Sequence, residues 1–191
     1  NNAESPLQRN LEPMTAQRSD LVSVNSDMGE AFGLHTFGND AALMSVIDVA
    51  NVACGFHSGD PGTMDETVRL AQQNSVRVGA HPGLPDLVGF GRREMKLTPE
   101  EVESLIRYQV GALSGFLKKY DLPLNHIKPH GSLYGMLARD EELMLGAVKV
   151  ARDYGVPVLG SAGSAHQRVA EREGVECVGE LYVDLDYNSE G

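Results

Sequence analysis

The chain has 191 residues, 41% hydrophobic and 23% charged, values that suit one globular domain with a real core and exclude a disordered chain. With 16 Lys and Arg against 27 Asp and Glu, the net charge of −11 argues against a nucleic-acid or anionic-membrane surface, both of which need clustered cations. Two distant cysteines, Cys54 and Cys177, make neither a disulfide framework nor a zinc pattern, and no apolar run reaches the roughly 18 residues of a membrane span, so the sequence reads as a reducing, cytoplasmic protein.

Residues 1–20 are polar and are expected to be a disordered extension or an expression remnant, which leaves 21–191 as a single catalytic domain. Leu21-Val22-Ser23-Val24 alternates as a strand does, and a Gly-rich loop then leads to a short helix over Asp40 to Ile47. Asp48 to Ala53 reads as a second strand. Pro61-Gly62 opens a helix to about Asn74, and Val76 to Ala80 is a third strand. The loop from His81 to Lys96 is longer than most, as binding loops and lids are.

Thr98-Pro99-Glu100-Glu101 combines an N-cap, a proline at the first helical position and the acid of a capping box. Val102, Ile106, Val110, Leu113 and Leu117 then give the stripe of a core-facing helix that ends by Tyr120-Asp121. Asn125 to Lys128 is a fourth strand, Asp140 to Tyr154 a helix stopped by Gly155, and Val156 to Gly160 a fifth strand. Ser164 to Glu173 is helical, and Val175 to Val183 is a sixth strand. Strand and helix alternate throughout, the pattern of a parallel sheet with right-handed crossovers; periodicity alone leaves an open sheet and a barrel equally allowed.

Four polar runs stand at strand exits: Asn25 to Glu30, Cys54 to Asp60, Gly79 to Pro82 and Lys128 to Gly131. In one parallel sheet all of them land on the carboxyl edge, where such folds carry their ligands. Asp27 and Glu30 are a carboxylate pair suited to acid–base work, though either also suits a turn. His57 with Asp60 resembles an imidazole held by a carboxylate, and Asp60 before Pro61 equally reads as a helix cap. His81 is a third strand-end group, with a buried structural histidine as its alternative. Lys128 and His130, beside Tyr134, are placed to bind an anion or support an oxyanion. Arg92 offers a guanidinium for a carboxylate, and Asn25 and Tyr134 are further candidate substrate contacts. His35, His126 and His166 lack comparable context. No phosphate loop of the Gly-x4-Gly-Lys type occurs in the sequence.

Together these runs resemble the LamB/YcsF family of lactam-utilisation proteins. The stretches that carry the likeness are Val24 to Glu30, Ala50 to Asp60, Gly79 to Pro82, Phe90-Gly91-Arg92, Tyr108 to Leu113, His126 to Tyr134 and Glu180 to Tyr187. The resemblance implies a seven-stranded (β/α) barrel of the glycoside hydrolase/deacetylase type, incomplete at the C-terminus here. An open edge would invite a covering chain or a homo-oligomer. It also implies ATP-dependent opening of 5-oxo-L-proline, or a related small lactam, to L-glutamate, together with partner subunits B and C. The site is then expected in catalytic Asp27, Glu30, His57, Asp60, His81, Lys128 and His130. With no phosphate loop in this sequence, ATP is expected to act through the partners. A metal-dependent deacetylase or amide hydrolase is the alternative, with Asp27, His57 and His81 holding a divalent ion such as zinc. A non-catalytic component of the same complex is the third reading.

Overall fold

The computed structural model describes residues 22–36 and 38–183. The proposed extension over residues 1–20, Leu21 of the expected first strand and residues 184–187 of the last matching stretch lie outside them. Six strands form one parallel sheet: β1 (Asn25–Met28), β2 (Val49–Ala53), β3 (Arg77–His81), β4 (Leu124–Ile127), β5 (Val158–Gly160) and β6 (Cys177–Gly179). Each strand pairs with its successor in the sequence and runs parallel to it. A doubly wound open sheet would reverse its order at a switch point. Unbroken sequential order instead places every crossover on one face and curls the sheet, and the result is a half-barrel.

The helices between the strands are α1 (Asp40–Leu43), α2 (Pro61–Asn74), α3 (Pro99–Lys119), α4 (Gly131–Arg139), α5 (Glu141–Tyr154) and α6 (Ala165–Arg172). They pack on one another in turn, α2 on α3, α3 on α5 and α5 on α6. Local chemistry explains where they start. The Asp60 side chain accepts from Thr63 N at the head of α2, and Thr98 and Glu101 complete the capping box of α3. Ser75 and Gly155 close α2 and α5 in the left-handed conformation. Val102, Ile106, Val110, Leu113 and Leu117 of α3 are all buried in the core.

Several boundaries differ from the sequence reading, each for a local reason. The first strand falls at Asn25–Met28 rather than Leu21–Val24, because Asn25 pairs with Val49 while Val22 is 96% exposed. α1 ends at Leu43 instead of Ile47. β3 begins at Arg77, since the Val76 N–H is taken by Ala71 O at the end of α2. β5 loses Val156 and Pro157, because proline has no ladder donor. β6 is confined to Cys177–Gly179, the residues that Val158–Gly160 can pair. Helix α4 is an addition. Its Leu133, Met136 and Leu137 form a buried i, i+3, i+4 stripe, and Asp140 both ends it and caps α5.

Candidate functional site

The concave face is built row by row. Asp27 on β1 is in register with Asn51 on β2, and Asn51 with Gly79 on β3. Gly79 leaves its share of the row empty, and the His126 imidazole from β4 fills it. A Cβ on Gly79 would stand 2.0 Å from His126 Cε1. The buried His126 Nε2 lies 2.7 Å from Asn51 Oδ1, and Asn51 Nδ2 donates to Asn25 Oδ1 at 2.7 Å and to Asp27 Oδ1 at 2.9 Å. One amide therefore orients the two β1 side chains.

Lys128, directly after β4, reaches across the mouth. Its Nζ lies 3.2 Å from Asn25 Oδ1, from Asp27 Oδ1 and from Glu180 Oε2, with the Tyr182 ring 5.1 Å away. An ammonium has three hydrogens, and here three acceptors face them. The lysine thus ties β1 to the segment after β6 and has no hydrogen left over for an incoming anion. A cavity of about 300 Å³ opens beside it, lined by Asn25, Asp27, Lys128, Glu180 and Tyr182.

On the other side of Asp27, His57, His81, His130 and Glu30 converge. His57 and His130 stack with ring centroids 3.6 Å apart, and His81 meets both edge-on at 5.4 and 4.9 Å. Two backbone carbonyls fix two tautomers. His81 Nδ1 lies 2.8 Å from Lys128 O, and His130 Nε2 lies 2.8 Å from Phe90 O, so each of these nitrogens carries the proton that it donates. Phe90 holds φ at +54°, strained for a bulky residue, and that bend aims its carbonyl at His130. His81 Nε2 and His130 Nδ1 are then left 3.0 Å apart, with Asp27 Oδ2 3.3 Å from the former and Glu30 Oε1 3.9 Å from the latter. Acceptors facing acceptors at such distances require a cation between them, either a proton on His81 or a metal ion.

The charges of the cluster follow from its burial. Burial pushes His57 and His130 down to about 3, and the neighbouring His81 charge adds to the shift, so both rings stay neutral over the physiological range. Burial raises the Glu30 carboxyl above its usual value. Burial would also raise Asp27, but the His81 charge and hydrogen bond, with Lys128 and Asn51, outweigh it and hold that carboxyl well below the ordinary range. Two carboxylates from one strand exit thus differ in proton affinity. Cys54, buried and pushed up to about 12, is inert packing.

The ligand atoms of Glu30, His57, His81 and His130 all lie within 4.8 Å of one another. His81 and His130 also have the outer carbonyl bond that metal-bound histidines usually make. His57 does not: its Nε2 lies 3.3 Å from Glu30 Oε1, and its buried Nδ1 has no partner. His57 and His81 of the expected metal set thus stand in this group with Glu30 and His130, while Asp27 lies beside it, its Oδ2 3.3 Å from His81 Nε2.

Of the remaining sequence candidates, Asp60 stands apart, its carboxylate used by Thr63 N at 2.8 Å and Gly33 N at 2.9 Å. Arg92 is exposed at the rim, its guanidinium 5.8 Å from the Phe90 ring, and makes no ion pair among the described residues. Arg93 instead pairs with Asp86 and cinches the long loop. Tyr134 packs edge-on to His166 at 4.5 Å, and burial, with the Glu180 charge, pushes its hydroxyl well above the usual range. Sequence reasoning passed over Asn51, His126 and Glu180. For Asn51 a signal existed, a lone amide inside the fully buried Val49–Ala53 run. A larger hollow of about 440 Å³, bordered by Leu117, Asp121 and Leu124, lies at the start of β4 and includes none of these histidines.

Comparison with known proteins agrees with this architecture. Residues 22–191 match the family model of LamB/YcsF, and the chain belongs to that family. It is 52% identical over 168 residues to a lactam utilization protein of Emericella nidulans, covering 88% of this chain and 66% of that protein. It is 46% identical over 172 residues to the 5-oxoprolinase A-subunit of Bacillus subtilis, covering 89% and 67%. The crystal structure of the lactam utilization protein from Thermus thermophilus superposes with a TM-score of 0.82 at 46% identity, over 84% of this chain and 66% of that one. The chain thus spans about two thirds of the length of these relatives. No helix among the described residues is long and apolar enough to cross a membrane.

Proposed function

We propose that this chain carries the ring-opening site of a 5-oxoprolinase, converting 5-oxo-L-proline or a related small lactam to L-glutamate in a complex with partner subunits B and C. The observation that carries the reading is the histidine cluster itself, in which a raised carboxyl and a depressed one flank an imidazole locked by a backbone carbonyl. That is an acid–base pair with its roles separated by environment. The relatives named for lactam utilization and for 5-oxoprolinase support the substrate class.

Arg92 holds the substrate carboxylate, since the hydrogens of Lys128 are already taken. Glu30 draws the proton from the attacking water. His81, paired with Asp27, passes a proton toward the departing nitrogen, and its Nδ1–H on Lys128 O keeps the other ring atom aimed inward. An unactivated five-membered lactam is a poor electrophile, and phosphorylating its oxygen supplies a leaving group, which is the role of ATP. The sequence has no phosphate loop, so that step falls to the partners. Full-length protein mixed with 5-oxoproline and ATP is expected to turn over only when B and C are added; robust turnover by this chain alone would refute the division.

The carbonyl-anchored histidines favour a second reading, a metal-dependent amide hydrolase. Glu30, His81 and His130, with His57, would hold the ion, which would supply Lewis-acid polarisation and an acidified water. Activity lost on chelation and restored by zinc, without ATP, would favour it.

A further inference from the structure

We propose that the cavity beside Lys128 is the seat of the amide edge of the substrate, with Asn25 donating to the lactam carbonyl and Glu180, together with Asp27, accepting from the ring N–H. This deepens the lactam reading and rests on it.

The assignment comes from counting what the hydrogen-bond network leaves over. Asn25 Oδ1 faces two donors, Lys128 Nζ at 3.2 Å and Asn51 Nδ2 at 2.7 Å, so the oxygen is fixed there and the two amide hydrogens of Asn25 remain. A carboxylate has about four acceptor positions. Glu180 uses two of them, for Lys128 Nζ at 3.2 Å and the Tyr182 hydroxyl at 3.2 Å. Asp27 uses three, for Asn51 Nδ2 and Lys128 Nζ on Oδ1 and for His81 Nε2 on Oδ2. At least one acceptor position therefore remains on each carboxylate, and donors remain on Asn25, all around a space of about 300 Å³.

That combination is the complement of a cis-amide. A lactam ring holds C=O and N–H side by side on one edge, so a donor and an acceptor next to each other read both at once. The unused acceptor positions on Asp27 and Glu180 add a direction. When a first water adds to the carbon of the phosphorylated lactam, the C–N bond breaks to leave an acyl phosphate and a nitrogen that takes up protons to become an ammonium; a second water then releases inorganic phosphate and the new carboxylate. The ring nitrogen thus gains positive charge as it departs, and the cavity binds it better late in the reaction than early, the condition under which binding energy speeds a step. The Glu180 side chain is only 6% exposed, so its unused acceptor position can be filled from the cavity and hardly from bulk water.

The test compares 5-oxo-L-proline with the lactone of the same ring size and carboxylate, in which the N–H becomes a ring oxygen. Dissociation constants are measured by calorimetry on the full-length chain and on Glu180→Gln, without ATP. The wild type is expected to prefer the lactam by at least about tenfold, because a lactone sets an oxygen against a carboxylate. In Glu180→Gln the new amide keeps an oxygen for Lys128 and offers an N–H to the lactone, so the preference is expected to shrink by about tenfold or reverse. Equal binding of both ligands by the wild type would overturn the proposal, as would an unchanged preference in the variant or an equal loss of both ligands there, which would make Glu180 only structural. If the wild type binds neither ligand, the lactam reading itself fails, and the seat with it.

Discussion

At the scale of single residues, the three strand-end histidines of the sequence were legible because each stands past the end of an apolar run with a Gly or Pro within two residues of it. What the sequence did not separate was which acids work with them. Asp60 stands three residues from His57 in the chain and caps a helix, whereas Glu30, 27 residues away, touches His57 Nε2 at 3.3 Å. Glu180 was invisible for the same reason: its partner Lys128 is 52 residues earlier, and only the curl of the sheet brings the two within 3.2 Å. Glu30→Gln is therefore expected to keep the fold but lower kcat of the assembled complex by about 100- to 10,000-fold, the range that a positioned general base contributes. Asp60→Asn keeps a capping oxygen and is expected to change kcat by less than about threefold, since an asparagine caps a helix as well as an aspartate. Steady-state kinetics on the two variants, with far-ultraviolet circular dichroism as the control for folding, distinguishes the roles; comparable losses would return Asp60 to the chemistry.

At the scale of elements, the strongest punctuation gave the most faithful boundaries. Asp60-Pro61 and Thr98-Pro99-Glu100-Glu101 predicted α2 and α3 at their observed starts. α4 was hidden because Gly131 and Gly135 interrupt its stripe and because its first residues read as part of a site motif. β1 was displaced because a strand that presents Asn25, Ser26 and Asp27 to a polar mouth does not look apolar. The pairing of β3 with β4 depends on a fit that no periodicity encodes, the His126 ring lying where Gly79 has no side chain. Gly79→Ala would place a methyl 2.0 Å from that ring, and His126 is fully buried with its Nε2 held by Asn51. Overpacking of this kind costs about 1–3 kcal/mol. Truncating the ring removes the obstacle, so the cost of Gly79→Ala is expected to fall by at least about 1 kcal/mol in a His126→Ala background, a coupling within reach of a double-mutant cycle. Urea unfolding of the four proteins measures it; strictly additive costs would mean that the glycine is not there for the histidine.

At the scale of the whole molecule, the burial that sets up the site also makes the fold sensitive to acid. His126 and His166 both lie fully buried, outside the cluster that would hold a metal. Burial, with the His81 and Lys128 charges, lowers His126 to about 3, and burial lowers His166 to about 4 even though Tyr134 O, 3.1 Å from its Nε2, pulls the other way. An unfolded histidine titrates near 6.5. Between that value and the folded ones the unfolded chain takes up protons that the native chain refuses, so the stability present above pH 6.5 or so is lost progressively as the pH falls. At pH 5 each refused proton is worth about 2 kcal/mol. Glu30, raised by burial, contributes with the opposite sign, since its native carboxyl accepts a proton before the unfolded one does. The total slope therefore mixes terms, and a variant isolates one of them. His166→Gln removes one refused proton. Its unfolding free energy is expected to fall less steeply from pH 7.5 to 5 than that of the parent, by about 2 kcal/mol over that interval. Urea titrations at five or six pH values across the interval read the difference. Parallel curves for parent and variant would show that the folded His166 accepts its proton as readily as an exposed histidine does.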